Sequence, residues 1–365
     1  MSSREPFRIR QVADHAGVSP ATVSRVLNGT APVTEAKREL VMAAIAELGY
    51  RPNRLAANLR RQQVQMIGVV VSDIENPHFT QMVRAVEDTA YLKGYRVLLC
   101  NTDEDPAKQR EYLGVLVAER VAGAIISPTE AAAPEIAELL DHGAAVVAFD
   151  RPVADRRADA VVGANADAGR LATEHLLAGG HEKVGFVGGL PGIETAAGRQ
   201  AGYEEAMSAA GLGPLVAPGG FRVAGGQRAT AELLGEGATA LVVANNLMAV
   251  GALRALREAG LRAPGDVSLV GIDDPPWAEL TDPPLTTLAQ PVRAMAEAAA
   301  ELLLGRLEGR RSRPKRQVFS FELRHRGSCC PPAGPKATGV TKATGVTRAT
   351  GVTKRKERAW QKSGS

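Results

Sequence analysis

The sequence has few cysteines, few aromatic residues and no long apolar run, and each absence excludes a class of protein. Its three cysteines, Cys100, Cys329 and Cys330, are too few and too poorly spaced for a disulfide framework or a zinc site. Only 4% of the residues are aromatic, so Val, Leu, Ile and Ala must build most of the core. No stretch approaches the roughly 18 apolar residues of a membrane span, and the first residues lack the apolar segment of a signal peptide. We therefore expect a protein of the reducing cytoplasm without a membrane partner.

Residue patterns typical of enzymes are also missing. No Ser-His-Asp arrangement, acid/base pair or metal-ligating cluster stands out in the sequence. The Gly-rich run at 185–192 follows a strand pattern, but its spacing is not that of a dinucleotide-binding G-x-G-x-x-G loop. His175 and His181 are expected at the surface. We therefore predict no catalytic residue, no cofactor and no metal, with an enzyme and a secreted binding protein as the alternative classes.

Charge is distributed unevenly along the chain, although its net value is only +4. Residues 1–63 carry ten Lys and Arg against five Asp and Glu, and residues 306–365 carry sixteen against three. The part between them holds 18 basic and 32 acidic residues. A basic head on an acidic body indicates that only the head faces a polyanion. Basic ends that merely aid solubility are the alternative.

The first 50 residues have the pattern of short helices separated by turns. The periodicity predicts a helix over 9–16, a tight turn at Gly17-Val18, a helix from Pro20 capped by Ser19, and a third helix over 34–48. Two helices joined by a tight turn, with Ser, Thr and Arg on the second, indicate a helix-turn-helix. A small protein-interaction bundle has the same pattern. The apolar stripe predicted on the third helix consists of Leu40, Val41, Ala44, Ile45 and Leu48.

From Met66 onward, short apolar runs alternate with amphipathic helices such as 79–92 and 108–121. This alternation predicts a parallel sheet covered by helices on both faces, and its length favours two doubly wound lobes. The predicted strands are 67–71, 97–99, 124–126, 146–149, 184–187, 241–244, 267–272, 286–291 and, after a helix at 292–305, 317–323.

The end of the chain is repetitive. Lys-Ala-Thr-Gly-Val-Thr occurs at 336–341 and 342–347, and an Arg-led copy follows at 348–353. A six-residue period with Gly and Thr in every unit cannot bury a core, so we expect a disordered basic tail. Such a tail either contacts phosphates nonspecifically or is inert, and the composition favours the inert interpretation.

Two stretches closely resemble the signature of the LacI/GalR family of bacterial repressors: IRQVADHAGVSPATVSRVLN at 9–28 and LGYRPNRLAANL at 48–59. The resemblance continues to about Gly327. It implies an all-α helix-turn-helix head plus an α/β sensor of two doubly wound parallel-sheet lobes, similar to periplasmic sugar-binding proteins. The expected domains are a DNA-binding domain at 1–50, a hinge helix at 51–63, a sensor at 64–327 and a tail at 328–365. Within the sensor, the first lobe covers about 64–162 and 290–320, and the second covers about 163–289 and 321–327.

The resemblance also implies how the head binds DNA. The residues that open the second helix and Arg25 face base edges, and an Arg can donate two hydrogen bonds to guanine. In the family, the segment matching 53–59 is a hinge that folds on the operator, and the Leu matching Leu59 is wedged into the minor groove, which kinks the duplex. The predicted DNA-binding residues are Ser19, Pro20, Ala21, Thr22, Ser24, Arg25, Asn28, Asn53, Arg54, Ala56 and Leu59.

Polar residues at strand ends predict the ligand site, because ligands of open parallel sheets bind beyond the carboxyl ends of the strands. Carboxylates, amides and a guanidinium converging there suit a neutral polyol. A single Asp is better explained as a strand-end cap, but several such residues at equivalent strand ends favour a site. Strand ends also carry Asp73 and Asn246, and the family usually has Asp at the latter position. Strand ends and family effector positions together predict a site made of His78, Phe79, Ser127, Asp150, Arg151, Thr195, Arg199, Phe221, Asn245 and Asp273.

These features predict a repressor of carbohydrate-utilisation genes whose operator affinity a small sugar controls. The run Phe149-Asp150-Arg151-Pro152 resembles the sugar-responsive members of the family more than the purine-responsive ones. A purine- or nucleoside-responsive repressor is the alternative within the family, and a sugar-binding protein or enzyme without a DNA role is the alternative outside it. Leu-rich heptads are absent after residue 327, which predicts a homodimer on a two-fold symmetric operator.

Overall fold

The computed structural model describes residues 9–28, 33–48, 64–129, 134–310 and 312–331. The chain divides into two compact units, Met1–Val64 and Gln65–Ser365. None of the described helices combines the length and the apolar character needed to cross a bilayer.

The first unit is a bundle of three helices around a small apolar core. Val12 and Ala13 of the first helix, Val23 of the second and Val41 of the third are completely buried. His15 Nε2 lies 2.7 Å from Glu47 Oε2 and joins the first helix to the third. The helices are α1 (Ile9–His15), α2 (Pro20–Asn28) and α3 (Glu35–Leu48).

The predicted apolar stripe of α3 is wrong at one position. Leu40 is 54% exposed, whereas Val41 is completely buried and Ala44 nearly so. Neighbouring positions of a helix are turned by roughly 100°, so a stripe centred on Val41 and Ala44 directs Leu40 away from the core.

The second unit consists of two lobes, each built on a six-stranded sheet. The first sheet has the strand order β11-β5-β4-β3-β1-β2, and the second has β12-β10-β9-β8-β6-β7. Parallel pairs are β1–β2, β3–β4, β4–β5 and β5–β11 in the first sheet and β6–β7, β6–β8, β8–β9 and β9–β10 in the second, whereas β10 and β12 pair antiparallel. This confirms the predicted fold class.

The strands of the first sheet are β1 (Val64–Val71), β2 (Arg96–Asn101), β3 (Val121–Ile126), β4 (Ala145–Asp150), β5 (Asp159–Gly163) and β11 (Arg316–Phe319). Those of the second are β6 (Val184–Gly188), β7 (Leu215–Pro218), β8 (Ala240–Val243), β9 (Ser268–Ile272), β10 (Thr286–Ala289) and β12 (Glu322–Arg324). The helices of this unit are α4 (Pro77–Leu92), α5 (Pro106–Ala118), α6 (Pro134–Asp141), α7 (Asn165–Ala178), α8 (Glu194–Ala209), α9 (Val223–Gly235), α10 (Asn246–Glu258) and α11 (Val292–Leu307), with a 3₁₀ turn at Pro276–Glu279.

The sequence pattern did not predict two of the strands, β5 and β7. β5 is Asp-Ala-Val-Val-Gly, and β7 is Leu-Val-Ala-Pro at the edge of its sheet. Each has only two or three consecutive strongly apolar residues and polar or Pro residues at its ends, which is too weak a pattern to distinguish from a loop.

The chain passes between the lobes three times: after β5, after β10 and between β11 and β12. The single strand predicted over 317–323 is wrong, because the chain passes from one lobe to the other within it. Val318 pairs with Val162 of the first lobe, whereas Leu323 pairs with Leu288 of the second. Phe321 between them is buried in the core of the second lobe. The side chain of Phe321 therefore anchors the crossing, and one apolar run supplies an edge strand to each sheet.

The folded domain extends beyond the predicted boundary at 327. Ser328 Oγ donates to the carbonyl of Leu269 at 2.6 Å and accepts from the backbone N–H of Thr286 at 2.8 Å. His181, expected at the surface, is buried, and its Nε2 lies 2.8 Å from the carbonyl oxygen of Cys330. These contacts attach residues 328–330 to β9, and the repeats at 336–353 lie outside the described residues.

Candidate functional site

Helix α2 separates its apolar residues from the polar residues assigned to DNA. Ser19 Oγ accepts a hydrogen bond from the backbone N–H of Thr22 at 3.2 Å, which confirms Ser19 as the cap of this helix. Val23 and Val26 are buried against the other helices. Of the predicted DNA-binding residues, Ser19, Pro20, Ala21 and Arg25 are exposed, Thr22 and Ser24 are half-buried, and Asn28 is the last residue of the helix.

The predicted hinge residues Asn53, Arg54, Ala56 and Leu59 lie outside the described residues. Their assignment to the minor groove therefore stays a prediction.

A narrow cleft, with a cavity volume of about 30 Å³, lies between the two lobes at the carboxyl ends of their strands. The residues that line it are Asp73, Asn76, His78, Phe79, Glu104, Asp150, Arg151, Thr195, Arg199, Phe221, Arg222, Asn245 and Asp273.

All but one of the predicted ligand residues line this cleft. The exception is Ser127, which is completely buried with its hydroxyl 3.3 Å from that of Ser72. It follows β3 directly, but its side chain is engaged inside the first lobe. The strand-end rule predicts which loop reaches the edge of the sheet and not the direction of each side chain.

Parallel strands explain how residues far apart in sequence come together. In the first lobe, β1 and β2 precede Asp73 and Glu104, and β4 ends at Asp150. In the second lobe, β8 and β9 precede Asn245 and Asp273. Because each sheet directs these ends to one edge, the two edges face each other across the cleft.

Strained backbone is found at three of the cleft residues that the sequence predicted. Asp150 has φ 66°, Phe221 has φ 59° and Asp273 has φ 75°. Non-glycine residues rarely occupy this left-handed region, and they cluster at binding sites where the surrounding fold imposes the conformation. The two carboxylates and the phenyl ring are thus held in orientations that an ordinary strand end would not give.

Arg199 is held rigidly in the floor of the second lobe. Its Nε donates to Asn165 Oδ1 at 2.8 Å, and its Nη1 donates to the carbonyl of Ala244 at 2.5 Å. Its Nη2 lies 4.0 Å from Asp273 Oδ1, an atom with no hydrogen-bond partner among the described residues. A donor and an acceptor therefore stand side by side, spaced to receive one polar group between them.

Asn246 connects the lobes beneath the cleft. Its Nδ2 donates to Asn76 Oδ1 of the first lobe at 2.8 Å and lies 3.2 Å from Asp273 Oδ2 of the second. Asn76 Oδ1 also caps α4 by accepting from the backbone N–H of His78 at 3.0 Å. A single buried amide thus joins the start of α4 to a carboxylate of the cleft.

The aromatic side of the cleft is formed by His78, Phe79 and Phe221. The His78 and Phe79 rings meet edge to face, with centroids 4.9 Å apart. His78 Nε2 lies 3.8 Å from Asp150 Oδ1, and neither ring nitrogen of His78 has a hydrogen-bond partner among the described residues. This side offers flat apolar surface beside a polar ring edge.

Four residues of the cleft were missing from the predicted set: Asp73, Asn76, Glu104 and Arg222. Asp73 had been noted at a strand end, and the same rule applied to β2 would have found Glu104. Asn76 carries an N-cap signal before Pro77. Arg222 follows β7, a strand that the sequence pattern did not reveal, so no sequence signal pointed to it.

The Gly-rich run at 185–192 makes room for the cleft instead of binding a dinucleotide. A Cβ at Gly189 would lie 2.3 Å from the ring of Phe221. Glycine is therefore needed there because the phenyl ring packs against the backbone. Among the described residues, no group of three His, Cys, Asp or Glu side chains could hold a metal ion.

Comparison with known proteins identifies the family. Residues 8–53 match the family described as bacterial regulatory proteins, lacI family, and residues 173–329 match a periplasmic binding protein-like domain. The ribose operon repressor of Halalkalibacterium halodurans is 36% identical over 302 residues, which cover 82% of this chain and 90% of that protein. The HTH-type transcriptional repressor PurR of Haemophilus influenzae is 35% identical over 304 residues, with 82% and 90% covered.

A solved structure of the lac repressor dimer, bound to operator and the anti-inducer ONPF, has a TM-score of 0.79 to this chain at 31% identity. It covers 89% of this chain and 100% of that one. These relatives are transcriptional repressors and not enzymes, which confirms the resemblance found in the sequence. The chain belongs to the lacI family of bacterial regulatory proteins and is a DNA-binding transcription regulator.

Proposed function

We propose that this regulator is a repressor of carbohydrate-utilisation genes, released from or directed to its operator by a small sugar in the interlobe cleft. The observation that carries the proposal is the pair of buried carboxylates, Asp150 and Asp273, that line the cleft from opposite lobes. Each carboxylate has two oxygens and accepts hydrogen bonds from vicinal hydroxyls. A polyol that binds both carboxylates is enclosed by both lobes.

The other cleft residues complement a sugar. Arg199 and Asn245 supply donors beside Asp273, and Thr195 supplies a hydroxyl at the start of α8. Phe79 and Phe221 are nearly buried and present aromatic faces to the apolar C–H surface of a pyranose or furanose ring. The cleft therefore combines many hydrogen-bonding groups with two phenyl rings, which suits a ligand rich in hydroxyl groups.

A purine or nucleoside is the second candidate. Two phenyl rings on opposite lobes are also suited to stack on a planar base, and one relative is a repressor named for purines. The relative named for the ribose operon and the two acceptor carboxylates favour the sugar.

DNA binding is assigned to α2 and to the predicted hinge. Arg25 is exposed on α2 one turn after the exposed Pro20 and Ala21, so one face of α2 offers a guanidinium and two small apolar contacts to the major groove. Ser19, Thr22, Ser24 and Asn28 supply contacts to the phosphates, and Asn53, Arg54, Ala56 and Leu59 supply the minor-groove contacts. The regulator acts in the cytoplasm, where its operator lies.

The mechanism is a population shift. A homodimer places two heads on a two-fold symmetric operator, and the similar lac repressor structure is a dimer bound to operator. A sugar that binds one lobe arrangement more tightly favours it, and this changes the spacing of the two hinge segments and the stability of the Leu59 wedge. A tenfold change in operator affinity requires only about 1.4 kcal/mol of coupling.

The ligand is identified by calorimetric titration of the full chain with pentoses, hexoses, disaccharides and purine bases. We expect a monosaccharide to bind, and Asp273→Asn to weaken it at least tenfold because the acceptor beside Arg199 is lost. Asp141→Asn is the matched control, since the carboxylate of Asp141 is 66% exposed and outside the cleft. Binding of a purine instead, or sugar binding that Asp273→Asn leaves intact, contradicts the proposal.

The DNA assignment is tested by selecting bound sequences from a pool of random duplexes. Wild type should enrich a two-fold symmetric site. Arg25→Ala should bind that site more weakly by about 1–3 kcal/mol and should discriminate less between bases at one position of the site. Equal affinity and equal selectivity of the variant would remove Arg25 from the base-reading set.

A further inference from the structure

The guanidinium groups of the cleft already form hydrogen bonds to acceptors of the protein, whereas two of its carboxylates keep free oxygens. The carboxylates are Asp73, Glu104, Asp150 and Asp273, and the guanidiniums are Arg151, Arg199 and Arg222. Four acidic groups therefore face three Arg side chains, and the partners of each Arg decide what a ligand meets.

Two of the three guanidiniums, those of Arg222 and Arg199, already donate hydrogen bonds to acceptors of the protein. Arg222 Nη1 donates to Asp73 Oδ2 at 2.5 Å, and its Nη2 donates to the carbonyl of Asp103 at 3.1 Å. Arg199 uses Nε and Nη1 on the acceptors of Asn165 and Ala244 and keeps Nη2 near Asp273. Neither presents a free fork to an anion.

Arg151 has the most complete set of hydrogen bonds of the three. Its Nη2 donates to Glu104 Oε1 at 2.6 Å and its Nη1 to Glu104 Oε2 at 2.7 Å, a two-bond pairing of guanidinium and carboxylate. Nη1 also donates to the carbonyl of Pro128 at 3.1 Å. The side chains of Arg151 and Glu104 are only 6% and 11% exposed, so water does little to screen the pair.

The remaining N–H of Arg151 is directed toward a cleft carboxylate. Arg151 Nε has no hydrogen-bond partner among the described residues and lies 3.6 Å from Asp150 Oδ2. Burial acts to lower the pKa of Arg151, but the hydrogen bonds to Glu104 and the negative charges of Glu104, Asp150 and Glu194 together outweigh it and raise the pKa, so the group stays charged. The charge of Arg151 is thus cancelled by Glu104 while Asp150 keeps oxygens for a ligand.

We propose that Glu104 is the specificity-determining residue that makes the cleft select uncharged sugars over anionic ones. This rests on the proposed function, since it assigns the charge class of the ligand that the same cleft takes. By neutralising Arg151, Glu104 leaves an entering phosphate or carboxylate only Nη2 of Arg199, which lies 4.0 Å from the carboxylate of Asp273. The anion would instead face Asp150 and Asp273, and unscreened like charges repel strongly in a buried site.

The backbone around Glu104 holds its carboxylate in place. Glu104 has φ 61° and Asp103 has φ 55°, so both lie in the left-handed region. Asn101 Nδ2 donates to Asp103 Oδ1 at 2.7 Å, and Lys108 forms an ion pair with the same carboxylate. The loop after β2 is therefore constrained to turn Glu104 toward Arg151.

The test compares ribose with ribose 5-phosphate, and glucose with glucose 6-phosphate, by calorimetric titration of the full chain. The measured quantity is the ratio of the two dissociation constants in each pair. Wild type should prefer the uncharged member. Glu104→Gln keeps the shape of the side chain but leaves Arg151 uncompensated, so the ratio should move at least tenfold toward the phosphate.

Three variants separate charge from structure. Glu104→Asp keeps the negative charge and should keep the wild-type preference. Arg151→Gln leaves Glu104 uncompensated and should move the ratio further against the phosphate, which also tests the proposal should Glu104→Gln fail to fold. Asp73→Asn removes the partner of Arg222, whose side chain is 46% exposed. Because solvent screens that charge, the ratio of dissociation constants should change less than in Glu104→Gln.

Other outcomes would contradict either the role of Glu104 or the sugar proposal. Preference of wild type for the phosphorylated sugar, an unchanged ratio in Glu104→Gln, or equal shifts in Glu104→Gln and Glu104→Asp would each reject the role of Glu104 while leaving a sugar-binding regulator. Failure of wild type to bind any member of either pair would reject the sugar proposal itself, and the role of Glu104 with it.

Discussion

Asn246 carries a hydrogen bond that an aspartate at this position would not make. Its amide nitrogen lies between Asn76 Oδ1 and Asp273 Oδ2, two acceptors on opposite lobes, and the residue is 2% exposed. A carboxylate there would place acceptor against acceptor and a negative charge beside Asp273. The amide is therefore suited to hold the lobes together without disturbing the ligand carboxylate.

Asn246→Asp should lower sugar affinity at neutral pH by tenfold or more, about 1.4 kcal/mol. The introduced carboxyl gains a proton as the pH falls and then donates to Asn76 or Asp273, so affinity should recover toward acid pH. Calorimetric titration over a pH series measures this. Asn246→Leu is the control, because it loses the same hydrogen bonds but cannot titrate. Parallel pH profiles for the two variants would argue against the bridging role.

A second prediction at the residue scale concerns His175. Burial, aided by the neighbouring His325, lowers the pKa of His175 from 6.5 to about 4. The unfolded chain therefore binds a proton between these values that the folded chain does not, and stability should fall as the pH drops from about 6.5 to about 4.

After allowance for solvent around the partly exposed ring, the contribution of His175 is about 1–2 kcal/mol. Unfolding temperatures of wild type and His175→Gln, measured over this pH range, give the comparison. The variant should lose less stability on acidification. Identical pH dependence in both proteins would assign the loss to other groups.

At the scale of elements, the contact between α7 and α8 determines where Arg199 lies. A Cβ at Gly169 would fall 1.9 Å from the carbonyl oxygen of Arg199, and a Cβ at Gly202 would fall 1.8 Å from that of Ala166. The two helices therefore touch backbone to backbone, each through a glycine of its own. Sequence analysis could predict both helices from their periodicity, but nothing local indicated that they cross at these glycines.

Gly169→Ala should push α8 away and displace the Arg199 guanidinium from Asp273. We expect a loss of about 1–3 kcal/mol of stability, as for other overpacked contacts, together with weaker sugar binding. Chemical denaturation and calorimetric titration measure the two effects. Gly213→Ala is the control, since a Cβ there meets no atom within 4 Å. Unchanged sugar affinity in a destabilised Gly169→Ala would separate helix packing from ligand binding.

At the scale of the whole molecule, the proposed mechanism makes DNA and sugar affinities depend on each other. If the sugar changes operator affinity by some factor, the operator must change sugar affinity by the same factor. Titration of the sugar with and without bound operator, and of operator with and without sugar, gives the two factors independently. Equal factors are expected, with Asp273→Asn weakening the coupling. A sugar that binds without altering operator affinity would leave the cleft without a regulatory role.

The sequence by itself determined the helix-turn-helix, the family and most of the cleft residues, because these depend on local signals. Ser19 before Pro20 caps α2 within one turn, Asp150 ends an apolar strand, and Asp273 directly follows another. The order of those strands in two sheets is a property of the whole alternating pattern. Local patterns were insufficient where the signal was short, as at β5 and β7.

Only the tertiary structure decided which polar groups are paired and which are left for a ligand. Glu104 and Arg151 are 47 residues apart, Arg222 and Asp73 are 149 apart, and Asn246 and Asn76 are 170 apart. No periodicity links such positions, since the partner of each group is chosen by sheet order and by the closure of the lobes. The selectivity that we propose for the cleft rests on this pairing of charges between distant positions.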